Sequence, residues 1–134
     1  MAVDFKGSYR LVKSENYDAY LQTAGVDLVT RRLLNTVTPT TVITVSGADW
    51  KIRTESTFKN VESTFTLGSP FQQENLDGRV LTSVATLSTD GSTLTINQNL
   101  NGQASTDTIT VAGSGFTEVL GINDVIAVRS YDRV

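Results

Sequence analysis

Residues 5–46 read FKGSYRLVKSENYDAYLQTAGVDLVTRRLLNTVTPTTVITVS, and the order of their periods decides the fold. In 5–13, Phe5, Gly7, Tyr9 and Leu11 alternate and so share one face of a strand. From Asn16 the period lengthens. Tyr17, Tyr20, Leu21 and Ala24 follow the i, i+3, i+4, i+7 spacing of a helix face. Gly25 supplies a C-cap, and Asp27 is a suitable N-cap for a second helix on which Leu28 and Leu33 continue an apolar side. Pro39 cannot extend that helix, and TTVITVS (40–46) returns to period two.

Outward from this stretch the chain is all strand and turn. Alternating runs cover 50–56, 58–67, 70–74, 79–88, 92–99, 105–112, 116–120 and 124–131. Turn signals separate them, including Ser46-Gly47, Asp77-Gly78, Asp90-Gly91, Asn101-Gly102 and Gly121-Ile122-Asn123. Threonine is about 15% of the chain, well above ordinary usage, as suits β structure. Hairpin spacing makes the strands an antiparallel meander. Ten short strands with one inserted helix pair predict a closed up-and-down barrel more than a sandwich. A barrel of this size can hold a small ligand, and the helix pair can cap one end. No linker or repeat divides residues 1–134, so the expectation is a single domain.

Composition narrows the chemistry. The chain has no Cys, so disulfides and thiolate metal sites are out. It has no His either, which removes Ser-His-Asp triads, His-ligated zinc and imidazole acid–base catalysis. The net charge of -3 gives no electrostatic footprint for nucleic acid. The opening MAVDFKGSYR holds no apolar h-region, so no secretory signal is expected, and no apolar run reaches membrane-spanning length.

Several stretches resemble one family. These are Gly7-x-Tyr9-x-Leu11-x4-Asn16-Tyr17-Asp18-x-Tyr20-Leu21, ThrGluSerThrPheLysAsn (54–60), Leu67-Gly68-x-x-Phe71, Asp77-Gly78-Arg79 and Arg129-x-Tyr131. In that order they resemble the intracellular lipid-binding proteins, the group of fatty-acid-binding and cellular retinoid-binding proteins. The ThrGluSerThrPheLysAsn tract is most similar to invertebrate fatty-acid-binding members. The resemblance spans essentially the whole chain. It implies an all-β, ten-stranded antiparallel barrel (a β-clam of calycin type) with a helix-turn-helix lid between the first two strands. It also implies a monomeric cytoplasmic lipid carrier, able to enter the nucleus, with no enzymatic activity and no cofactor or metal.

The resemblance assigns site residues too. Arg129 and Tyr131 lie two apart and so share a strand face with Val125 and Ala127, opposite Ile126 and Val128. Either face is apolar enough to be buried. An outward face is the bland alternative, whereas the resemblance turns Arg129 and Tyr131 inward to hold a carboxylate with a guanidinium fork and a phenol. Members with two head-group arginines carry the second twenty positions earlier, which here is Ile109, so the arginine pair is missing. Gln98 is either a polar cavity residue or an outward one. Phe58 resembles the portal phenylalanine, with core packing as the alternative. Asp77 and Arg79 resemble a polar cavity pair, or else form a tight turn with an exposed arginine. Tyr20 and Leu28 are expected to pack the lid and touch ligand. The Arg31-Arg32 pair is either a solvated helix face or a basic portal that touches membranes.

The leading reading is a carrier of long-chain fatty acids, with a retinoid carrier as the alternative. An enzyme on a β-barrel finds no support, because no carboxylate pair stands out in the sequence. A structural or membrane-docking role is argued against by the modest charge.

Overall fold

The computed structural model describes residues 4–134 apart from Asn101, so one half of the expected Asn101-Gly102 turn lies outside the described residues. The elements are β1 (Gly7–Glu15), α1 (Tyr17–Thr23), α2 (Leu28–Leu34), β2 (Thr40–Ser46), β3 (Asp49–Glu55), β4 (Val61–Thr66), β5 (Phe71–Glu74), β6 (Val80–Leu87), β7 (Thr93–Leu100), β8 (Gln103–Ala112), β9 (Gly115–Ile122) and β10 (Val125–Arg133). All pairings are antiparallel, in the order β4-β3-β2-β1-β10-β9-β8-β7-β6-β5. This is the meander expected from the hairpin spacing, with the first and last strands paired.

The barrel is nearly closed. Among the described residues no backbone ladder joins β4 to β5, and side chains bridge that edge instead. Phe65 stacks on Phe71 with centroids 4.6 Å apart, and Lys59 Nζ donates to Glu74 Oε2.

The helix pair forms for the local reasons read above. The Asp27 carboxylate accepts from the Thr30 amide at 2.9 Å, capping α2. Gly25, at φ +88°, takes the left-handed turn that ends α1. No helix among the described residues is long and apolar enough to cross a membrane.

Two apolar clusters pack the barrel. One joins Phe5, Tyr9, Trp50, Phe65 and Phe116 and includes no helix residue. The other docks Tyr20, Leu21, Val26 and Leu34 onto Leu120, Ile122 and Ala127 of β9 and β10. Gly115 allows β9 to close on β10, since a Cβ there would sit 1.9 Å from the Tyr131 carbonyl oxygen.

Three expectations are corrected at this level. Leu28 is 49% exposed and Leu33 is also exposed, because the short α2 turns Leu34 to the barrel instead. Ile126 is 58% exposed, so only the Arg129 face of β10 is buried. Phe58 lies in a bend between β3 and β4 and not in a strand. There Ser56 accepts from the Lys59 amide and donates to its carbonyl, so side-chain bonds replace the ladder.

Candidate functional site

Between the two clusters lies a polar-floored cavity. It spans about 960 Å³ of space between its walls, part of it continuous with solvent. Of that space about 140 Å³ is open to the centre of a water-sized molecule.

β10 turns Arg129 and Tyr131 into this cavity, and Arg129 is only 4% exposed. β1 supplies Ser14 as the strand partner of Arg129, and its Oγ accepts from Arg129 Nη1 at 3.2 Å. α1 lays the Tyr17 ring under the guanidinium, with Cζ 3.7 Å from the centroid. Tyr131 lies two residues along β10 from Arg129 and is buried on the same inward face. Burial works against the charge of Arg129, but Tyr131, Tyr17 and Glu118 outweigh it and raise its pKa. Burial pushes the Tyr17 phenol up to about 12 and raises those of Tyr131 and Tyr20 further, so all three stay neutral donors.

Sheet register adds two carboxyls. Ile109, Glu118 and Arg129 form one row across β8, β9 and β10, each opposite the next. Asp107 is two residues from Ile109 on the same inward face and stands diagonally from Glu118. Burial, and then Glu118, hold the Asp107 carboxyl well above the usual carboxylate range, with Arg129 opposing. Asp107 Oδ1 is buried with no hydrogen-bond partner. This carboxyl pair corrects the expectation that none stands out. Glu118 was overlooked, although Phe116-x-Glu118-x-Leu120 places an acid on an otherwise apolar face.

On β7, beside β8, Gln98 faces inward, which removes its outward alternative. Its Nε2 donates to Gln73 Oε1 at 3.0 Å, and its Oε1 accepts from Ser105 Oγ at 3.0 Å. Ser83 Oγ also donates to Gln73, a residue the sequence reading left out.

No protein-family model matches the chain. The sodium/calcium exchanger regulatory protein 1 of Doryteuthis pealeii is 36% identical over 137 residues, which covers 100% of this chain and 99% of that protein. A fatty acid-binding protein of Tyrophagus putrescentiae is 35% identical and covers 98% of both chains. The chain belongs to the fatty-acid-binding protein family. The likeness extends to three dimensions. The Schistosoma mansoni fatty acid binding protein, solved in complex with arachidonic acid, matches with a TM-score of 0.92 at 36% identity, over 97% of this chain and 96% of that one. All three relatives are from invertebrates, and none is named for a reaction or a retinoid.

Within this fatty-acid-binding protein the expected site residues divide. Arg129, Tyr131, Gln98, Ile109, Asp77 and Tyr20 line the cavity. Leu28 does not, because α2 leaves it in solvent, and neither does Phe58, which is 39% exposed in its bend. Arg79 lines a smaller pocket beside this cavity, with Asp77, Tyr20 and Leu21. It grips Asp77 at 3.0 and 2.8 Å and donates at 2.6 Å to the Ala24 carbonyl, so it ties the end of α1 to the β5–β6 turn. Arg31 bonds Asp18 at 3.2 Å and the Val26 carbonyl at 3.0 Å and so links the two helices, while Arg32 stays exposed.

Proposed function

We propose that this protein is an intracellular carrier that reversibly binds a long-chain fatty acid in the barrel cavity and passes it to membranes or other proteins. The buried Arg129–Tyr131 pair carries this reading, because a guanidinium 4% exposed beside an open cavity suits a carboxylate. The fatty acid held by the similar Schistosoma mansoni protein supports the same ligand class. Tyr131, Gln98, Tyr20, Ile109 and Asp77 line the path of the ligand, and the lid helices are where it enters. The carrier acts as a monomer without nucleic acid, and touches membranes through the exposed Leu28, Val29 and Leu33 of α2.

The apolar tail supplies most of the affinity. About 14 methylenes contribute on the order of 11 kcal/mol gross, offset by association and ordering costs. Displacement of a fluorescent apolar probe tests this. Palmitic acid should compete at about one site per chain, and hexanoic acid should fail, since it lacks ten methylenes worth about 8 kcal/mol gross. Equal competition by the two acids would reject a tail-filled cavity.

A further inference from the structure

Three ionisable groups of the cavity lie within one patch of sheet: Arg129, its strand partner Glu118, and Asp107 on the next strand. The place where a second cation would stand holds Ile109, which is 3% exposed and apolar. Asp107 lines the cavity, is 8% exposed and leaves Oδ1 unpartnered, and burial together with the neighbouring Glu118 favours its protonated form. With that proton on Asp107, Glu118 balances Arg129 and the pocket is neutral as it stands. A carboxylate head that arrives would add an uncompensated negative charge to a buried site, which is costly unless something neutralises it.

We propose that Asp107 and Glu118 are specificity-determining residues of the lipid cavity, which make it favour an uncharged polar head group and make the binding of a carboxylate take up a proton. The inference rests on the fatty-acid reading above and deepens it. That proton leaves Arg129 facing one net negative charge and not two. An alcohol, ester or amide head adds no charge and needs no proton. The other ionisable groups facing the pair are Tyr17 and Tyr20 from α1, Tyr131 from β10, Asp77 from the β5–β6 turn and Glu74 from β5. The three phenols remain protonated across the neutral range. Asp77 and Glu74 are already engaged by Arg79 and Lys59.

The test is calorimetry of dodecanoic acid and 1-dodecanol, below their aggregation limits, in buffers of different ionisation heat from pH 6.5 to 8.5. The acid should take up about one proton, and its binding should weaken by up to about tenfold per pH unit as pH rises, while the alcohol takes up none. In the isosteric Asp107→Asn/Glu118→Gln double variant the uptake should vanish, and the preference for acid over alcohol at pH 8 should rise at least about tenfold. Acid binding with no proton uptake and no pH dependence in the wild-type protein would overturn the inference and leave the carrier reading standing. Failure of both ligands to bind would remove the carrier reading and this inference with it. The wild-type proton count decides the matter even if the double variant does not fold.

Discussion

Arg129→Ala separates head-group recognition from structural support. In the free protein the change removes the Tyr17 ring contact at 3.7 Å and the Ser14 bond at 3.2 Å. Those losses are worth roughly 1–2 and about 1 kcal/mol, and they loosen the seat of α1 whatever ligand is present. A carboxylate loses a further charge-assisted contact of about 1.5–3 kcal/mol, which a methyl ester lacks. It also meets Glu118 without the cation that balances it. Palmitic acid should therefore weaken about 10- to 150-fold more than methyl palmitate, because each 1.4 kcal/mol is a factor of ten. Probe displacement by the two lipids in wild type and variant reads the difference, from which the loss common to both cancels. Tyr131→Phe should shift the same ratio in the same direction by less. Arg129→Gln gives a second reading if the alanine variant folds poorly. Equal losses for acid and ester would show that Arg129 supports the lid and barrel and does not read the head group.

Further outcomes follow from the same geometry. Ile109→Arg places a guanidinium opposite Glu118, so the ratio of acid to alcohol affinity should rise about tenfold or more, and an unchanged ratio would refute the inward row. Asp107→Asn should stabilise the protein increasingly as pH rises from 4 to 8. The raised folded pKa of Asp107 favours the fold below the ordinary carboxylate value near 3.9, and that advantage is lost upward, whereas Asn does not titrate. Equal Tm shifts at pH 4 and pH 8 would contradict that sign. Gly115→Ala should cost about 3 kcal/mol in urea unfolding, because its Cβ would press on backbone of β10 and not on a movable side chain. A loss under about 1 kcal/mol would mean that β9 relaxes freely.

What the sequence made legible depended on how local the cause was. The shift of period at Asn16, Gly25 and the Asp27 cap are local, and the helix pair formed where they placed it. Strand parity puts Arg129 and Tyr131 on one face, and the family resemblance turns that face and Ile109 inward, where all three are buried. Parity alone could not choose between two apolar faces of β10, and exposed Ile126 marks that limit. The Asp77–Arg79 pair is legible from its spacing, but the bond from Arg79 to the Ala24 carbonyl is not, because that partner lies 55 residues away in sequence. Glu118 showed as an acid on an apolar face. Only the register of β8, β9 and β10 reveals that it stands between Ile109 and Arg129. Phe58 left its expected strand because Ser56 and Asn60 offer the backbone competing bonds.

A crystal structure with palmitic acid bound tests the carrier reading most directly. The carboxyl should lie within hydrogen-bond distance of Arg129 and Tyr131, with the tail folded through the cavity toward the lid. An empty cavity, or a carboxyl held at the β4–β5 edge near Lys59 with Arg129 untouched, would contradict it.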